Sequence, residues 1–310
     1  KQIQGQVNVA DFRRDAFEPE KPMLIKAPKT DSLTSPSFPG HSLRKWFKEY
    51  QQTDASDWDL SLFHDVVPYE LLLPTNHTVD HPVHHFISHL SSSKESVQLG
   101  LGQFLQTQVN SPPAHGTSSE QFFRFEAPLA LMVAAIKFND TRMAASRLKQ
   151  LYIAQAPLNM LPGELQRDLF TPELVLAAGK GDIYDSSVWI GLEPTFTPWH
   201  RDPNPNLFHQ LWSRKEVRLL PPQRGAQIFR QTRAELGMPG DYRIRGSEMM
   251  VGAERQALFE AIWGEGAPDD ILSASLGPGD ALFVPKGWWH SVRSEGQFGE
   301  PNASVNWWFR

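Results

Sequence analysis

The C-terminal half of this chain is a series of short, strand-length segments cut apart by Pro and Gly turns. The segments 187–192, 215–220, 281–284 and 303–310 are rich in β-branched and aromatic residues, and each is too short for a stable helix. Regularly spaced strands of this kind favour an antiparallel barrel or jelly roll over a parallel α/β sheet. The expected fold is therefore mainly β with flanking helices, a double-stranded β-helix.

The N-terminal half is patterned more weakly. Residues 7–26 predict a helical turn leading into a strand, and 30–40 shifts to the Ser, Thr and Pro of a loop. Helical spacing follows over 43–50 and strand alternation over 57–63. From 74 to 116, Ser, His, Gln and Gly predict an irregular region with short helices. Residues 128–136 form an apolar run of near-helical length, 150–155 resembles a buried strand, and 161–176 contains short helical pieces. A helix is expected over 253–263, inside a long excursion from 223 to 276. Residues 1–140 are taken as a mixed segment packed on a core formed by residues 141–310.

Composition excludes several classes. With no cysteine, disulfides, thiolate ligands and cysteine nucleophiles are ruled out, so a metal must be held by His and carboxylate. The net charge of -5 is spread without long runs, and nucleic acid is not indicated as a partner. No stretch approaches the roughly 18 apolar residues that span a bilayer, so no membrane association is expected. The expected location is intracellular, cytoplasmic or nuclear, with organelle targeting left open because the chain opens at Lys1. Gly-x-Ser-x-Gly and phosphate-binding Gly-rich loops are absent.

Chemistry concentrates in Thr197-Pro-Trp-His-Arg-Asp. Residues two apart on a strand share a face, so His200 and Asp202 can reach one ion while Arg201 points away. The best third ligand is His290, in Gly279-Asp-Ala-Leu-Phe-Val-Pro-Lys-Gly-Trp-Trp-His. Two imidazoles and a carboxylate on one face of an octahedron leave open positions for a chelating co-substrate and dioxygen, as in non-haem Fe(II) oxygenases. A His-x-Asp triplet alone is weak; the Gly-Asp turn, the Trp-Trp-His that follows and the strand bearing Asn306 give it context. Trp288, Trp289, Trp307 and Trp308 are read mostly as core filling.

These motifs, with Asn206 and Lys215 before Leu219-Leu-Pro-Pro and with Ser304-Val-Asn-Trp-Trp, resemble the JmjC or cupin-like 2-oxoglutarate oxygenases. Within them the chain looks most like the asparaginyl hydroxylase that inhibits hypoxia-inducible factor. The resemblance is strong over 151–310 and loose before it. It implies a catalytic core at 141–310 that uses Fe(II), 2-oxoglutarate and O2, with His200, Asp202 and His290 as ligands. It further implies Lys215 on the distal carboxylate of 2-oxoglutarate, assisted by Thr197 and Tyr152, with Asn206 and Asn306 lining the pocket and Trp308 beside the metal. A carboxylate buried there needs a cationic, hydrogen-bonding partner to offset desolvation.

The implied activity is hydroxylation of a protein or peptide side chain, with release of succinate and CO2. N-methyl-lysine or arginine demethylation is the alternative; hydroxylation of RNA or a small molecule and a non-enzymatic cupin module rank lower. Ala154 stands where the asparaginyl hydroxylase has a substrate-contacting glutamine, and Pro203-Asn204-Pro205 replaces its Glu-Gln-Gln, so the substrate is not carried over. Relatives continue past the last strand into dimerising helices, which implies a homodimer through a segment beyond residue 310. His81, His84 and His85 are read as a solvated loop or a helix cap, and Arg224, Arg230, Arg233, Arg243 and Arg245 as an exposed basic face. Triplets of glycosylation type begin at Asn76, Asn139 and Asn302 and carry little weight.

Overall fold

The computed structural model describes residues 1–28, 63–238 and 250–310. The loop expected over 30–40, the helix over 43–50, the strand over 57–63 apart from Phe63, and Arg243 and Arg245 lie outside the described residues.

The strands are β1 (Gln2–Gln4), β2 (Met23–Lys26), β3 (Val66–Pro74), β4 (His115–Gly116), β5 (Glu120–Pro128), β6 (Leu151–Pro157), β7 (Ile183–Leu192), β8 (Phe196–Arg201), β9 (Asn206–Trp212), β10 (Lys215–Leu220), β11 (Leu272–Leu276), β12 (Ala281–Val284), β13 (Trp289–Ser294) and β14 (Pro301–Phe309). They form a ten-stranded sheet, ordered β1-β2-β12-β9-β14-β7-β6-β3-β5-β4, facing a four-stranded sheet, β11-β10-β13-β8. Among the described residues only the β1–β2 pair is parallel. This is the expected jelly roll, and each of the four C-terminal segments read as a strand is one. Strands from the first 140 residues extend the large sheet at both ends: β1 and β2 beside β12, and β3 to β5 beside β6.

The helices are α1 (Val9–Phe12, continued by a π-helical turn over Arg13–Phe17), α2 (Pro82–Ser91), α3 (Ser96–Asn110), α4 (Ala130–Asp140), α5 (Gly163–Asp168), α6 (Glu173–Ala177), α7 (Pro222–Glu235) and α8 (Ala253–Trp263). Among the described residues, none is long and apolar enough to cross a membrane. Two expectations need correction. Residues 74–116 hold helices, as expected, but are not otherwise irregular: α2 and α3, ten and fifteen residues long, pack on each other. Two helical glycines, Gly100 and Gly102, obscure α3 in the sequence, yet Gly102 is where the pair closes. A Cβ there would sit 2.7 Å from Ser91 Oγ and 3.1 Å from Leu90 Cβ, so the residue that weakens helix propensity is the one that permits the crossing. Nor are the described residues of 223–276 an excursion: the helix expected over 253–263 is α8, α7 and α8 cover the small sheet, and β11 is its edge strand, paired with β10.

Between the sheets, Phe208, Leu282 and Val284 of the large sheet meet Val217, Leu219, Ala274, Leu276 and Val292 of the small one. On its outer face the small sheet packs Trp199 and Trp289 against Ile228 and Phe229 of α7 and Leu258 and Ile262 of α8. Strand alternation does the sorting. Trp199 and Trp289 point out to the helices, ring centres 6.0 Å apart, so their neighbours His200 and His290 point in. Gly225 of α7 lies directly against Trp289, where a Cβ would overlap Cβ and Cγ of the indole. Gly225→Ala is expected to lower stability by about 1–3 kcal/mol through overpacking, measured as a shift of the urea midpoint at unchanged m-value.

Candidate metal centre

β8 and β13 are antiparallel neighbours with His200 directly opposite His290, and the imidazole centres are 4.2 Å apart. Asp202 follows β8 by one residue; its carboxylate lies 3.6 Å from His200 Nε2 and 3.7 Å from His290 Nε2. One donor atom from each of the three falls within 4.8 Å of the others, and this is the one group of His, Asp and Glu among the described residues to do so. The expected triad is thus assembled. Both rings are oriented by backbone: His200 Nδ1 donates to the Pro198 carbonyl at 2.8 Å and His290 Nδ1 to that of Trp288 at 3.1 Å. A carbonyl only accepts, so the proton sits on Nδ1 and the Nε2 lone pair is left for an ion.

Asp202 is held just as firmly. Its Oδ2 accepts from Trp308 Nε1 at 2.7 Å and from Asn206 Nδ2 at 2.9 Å, and Asn306 Nδ2 in turn donates to Asn206 Oδ1 at 2.9 Å. Burial opposes ionisation of Asp202, but His290 and His200 beside it and the two hydrogen bonds hold its carboxyl below the ordinary range. Burial, aided by His200, brings His290 down to about 4 against the opposing pull of Asp202, so it stands neutral as a ligand must. Asn306 Oδ1 is buried without a partner, a polar group left for whatever occupies the site. The donor set of two neutral imidazoles and one carboxylate fits a divalent iron-type ion with open positions. Trp308→Phe removes one of the two donors to Asp202 and is expected to weaken metal binding about 10–100-fold, read by competition with a chromogenic chelator.

Lys215 opens β10 and is 2% exposed. Its ammonium donates to Ser304 Oγ at 2.8 Å and lies 5.9 Å from the Tyr152 ring centre and 5.6 Å from that of Phe208. Burial pulls it down to about 7, opposed only by Glu193. Tyr152 is also buried, and its hydroxyl is hydrogen-bonded to Thr197. The structure therefore sets the Lys215 ammonium near the Tyr152 ring, with Thr197 on the Tyr152 hydroxyl, and groups Asn206, Asn306 and Trp308 around Asp202.

Above the triad is a cavity of 640 Å³ whose walls include Tyr152, Thr197, His200, Asp202 and Trp308. Its outer wall holds residues that sequence reading missed. Glu70 and Pro68 come from β3, and Arg124 from β5. Gln155 sits in the left-handed region at φ 55°, in a bulge of β6 that sets Ala154 and Gln155 beside Trp189. Burial lifts the Glu70 carboxyl to about 7 against the lowering effect of Arg124. A signal for β3 was present: Val67, Tyr69, Leu71 and Leu73 are buried in strict alternation, but Pro68 and Leu72 between them blurred it. Ser304 stood inside a motif that was recognised, with no role given to it.

The other candidates fall elsewhere. His81 caps α2 through Nδ1, as expected of a helix cap. Arg233 is no part of an exposed face: it is 6% exposed and ion-paired with Glu254 at 2.8 Å, while Arg224 pairs with Asp270 at 3.0 Å. Asn139 and Asn302 are buried and hydrogen-bonded to backbone, which leaves no room for a glycan in the folded chain. Trp289 and Trp307 fill the core as expected, whereas Trp308 donates to Asp202.

A jelly roll carrying a His-x-Asp…His triad between its sheets is the architecture of a cupin-type metal domain. The chain belongs to the cupin-like domain family, whose model matches residues 10–310. It is similar to lysine-specific demethylase JMJ30 of Arabidopsis thaliana, 26% identical over 150 residues that make up 48% of this chain and 32% of that protein. It is similar also to lysine-specific demethylase 8 of Danio rerio, 29% over 165 residues, 51% of this chain and 36% of the other. Jumonji C domain-containing protein 5 of Drosophila melanogaster is 27% identical over 160 residues, 51% and 36% of the two chains. The matched part is about a third of the length of these relatives.

Proposed function

We propose that this chain is an Fe(II)- and 2-oxoglutarate-dependent dioxygenase that hydroxylates a side chain of a protein or peptide. The observation that carries the reading is the His200, Asp202 and His290 triad at a cavity lined by Tyr152 and Thr197, with the buried Lys215 ammonium 5.9 Å from the Tyr152 ring centre. Iron(II), 2-oxoglutarate and O2 together supply the oxidation that releases succinate and CO2 and places one oxygen atom on a C–H bond.

The chain's own residues do the rest. His200 and His290 present lone pairs fixed by the Pro198 and Trp288 carbonyls. Asp202 supplies the negative charge, held in place by Trp308 and Asn206. Lys215, in exchange for its bond to Ser304, offers an ammonium to a carboxylate, with the Thr197 and Tyr152 hydroxyls as further donors. The cavity walls exclude water and orient one C–H bond. In this reading residues 141–310 hold the metal and co-substrate, and residues 1–140 complete the substrate wall through Pro68, Glu70 and Arg124.

Demethylation of an N-methylated side chain is the second reading. It is favoured by Glu70, a half-buried carboxylate on the cavity wall suited to a cationic group, and by the likeness to two lysine-specific demethylases. The deciding experiment incubates the chain with Fe(II), 2-oxoglutarate and candidate peptides under air. Succinate with a one-oxygen gain in peptide mass is expected, without formaldehyde; formaldehyde with loss of a methyl mass would replace hydroxylation by demethylation. Absence of any succinate, together with unchanged 2-oxoglutarate binding in Lys215→Ala, would remove the oxygenase reading altogether. On a neutral target Glu70→Gln should change kcat/KM less than about threefold, whereas a cationic target should lose about 10–100-fold, the worth of one charge-assisted hydrogen bond.

A further inference from the structure

A second set of imidazoles stands where the chain turns from β3 into α2. His77 lies in the turn after β3, His81 is the N-cap of α2, and His84 is in its first turn. His77 Nδ1 and His84 Nε2 are 3.0 Å apart, with ring centres 5.0 Å apart and planes inclined by 38°. The His81 ring centre is 6.0 Å from that of His77. Two imidazoles bound to one ion at about 2.0–2.1 Å, with the angles of tetrahedral or octahedral sites, hold their nitrogens about 2.9–3.4 Å apart. The pair therefore has the separation of two ligands on a single ion.

His81 has a different job. Its Nδ1 accepts from Val83 N at 3.3 Å, so in the neutral ring the proton is on Nε2 and the lone pair is spent on the helix cap. His85 follows His84 directly and is exposed. A helix turns about 100° per residue, so His85 projects away from His84. We infer that His77 Nδ1 and His84 Nε2 chelate a divalent transition-metal ion of the kind imidazole prefers, Zn2+, Ni2+ or Cu2+, with water in the remaining positions. Burial, first, and the neighbouring His77 and His85 hold His84 below the ordinary histidine range, so that it is neutral near pH 7 as a ligand requires. The ion would pin the start of α2 to the end of β3, the strand that carries Glu70 into the cavity wall.

The test counts ions on the chelator-treated full chain, with Ni2+ as the probe in a calorimetric titration. The wild-type chain is expected to take up two ions, one at the triad and one at the His pair. Asp202→Ala combined with His290→Ala should lose the first and keep the second. His77→Ala and His84→Ala should each keep the first and weaken the second at least about tenfold. His85→Ala should leave both unchanged. Below about pH 6 the second ion should be released as the imidazoles protonate. Cu2+ paramagnetic resonance on the Asp202→Ala/His290→Ala double variant, which leaves one imidazole at the triad, gives a readout that needs no change at the pair: splitting from two imidazole nitrogens is expected. A wild-type chain that binds one ion only, a second ion that survives both His77→Ala and His84→Ala, or a copper signal with oxygen ligands alone would overturn the assignment.

Discussion

Asp202→Ala is expected to strip the metal from the triad and to cut succinate formation by at least about 10³-fold, because the metal supplies several kcal/mol of barrier lowering and each 1.36 kcal/mol is tenfold in rate. Two imidazoles remain, but the anionic ligand between them is gone. The same substitution strips the acceptor from Trp308 Nε1 and Asn206 Nδ2, both buried, at a cost to stability of about 1–3 kcal/mol for each unsatisfied donor. Asp202→Asn separates the two effects. It keeps a carbonyl oxygen for those donors and removes the charge, so it should restore much of the stability and little of the activity. Metal content by mass spectrometry and the thermal midpoint of both variants read this out; an Asp202→Ala chain that still turns over at wild-type rate would remove Asp202 from the metal.

Lys215→Met has the second large effect, and its two consequences have opposite signs. Under the proposed reading the variant loses the cation that meets the co-substrate carboxylate. The half-saturating concentration of 2-oxoglutarate should rise about 10²–10³-fold, the range expected when one partner of a buried charge pair is removed. The empty protein, by contrast, should become more stable. In the folded chain Lys215 is brought from its ordinary 10.5 to about 7, by burial first. Between pH 7 and 10.5 the unfolded chain therefore holds a proton that the native chain does not, and native stability rises with pH across that window. Below pH 7 both states are protonated, and the cost of burying the ammonium falls in full on the native state. Methionine removes that cost, so a gain of about 1–4 kcal/mol near neutral pH is expected, together with loss of the slope between pH 7 and 10.5. Urea unfolding at a series of pH values measures both. For the same reason 2-oxoglutarate binding above pH 7 should take up a proton, seen calorimetrically as a dependence on the ionisation heat of the buffer.

The buried lysine also accounts for its neighbours. Ser304 Oγ accepts from the ammonium, and Glu193, itself held above the ordinary carboxyl range by burial, supplies the only opposing field at Lys215. Glu193 is anchored by Asn302 Nδ2 at 2.8 Å and by Gly296 N at 3.1 Å. Lys215 thus rests on a polar layer that reaches well beyond the residues whose motif marks them.

What the sequence by itself determined is what depends on local order. The alternation in Pro198-Trp-His and Trp288-Trp-His sends each Trp to the helices and each His inward, and it is a period-two property of one strand. The His200-x-Asp202 spacing is equally local, and so are the strand-length runs that define the jelly roll. The tertiary structure alone decided what depends on register between distant strands. His200 meets His290 because β8 and β13 pair in one particular register, ninety residues apart. Ser304 meets Lys215 across the two facing sheets. Glu70 and Arg124 reach the cavity because β3 pairs with both β5 and β6, and Gly102 gains its meaning only when α3 crosses α2. Side-chain direction is written in neighbouring residues, whereas the partner a side chain meets is selected by the packing of the whole chain.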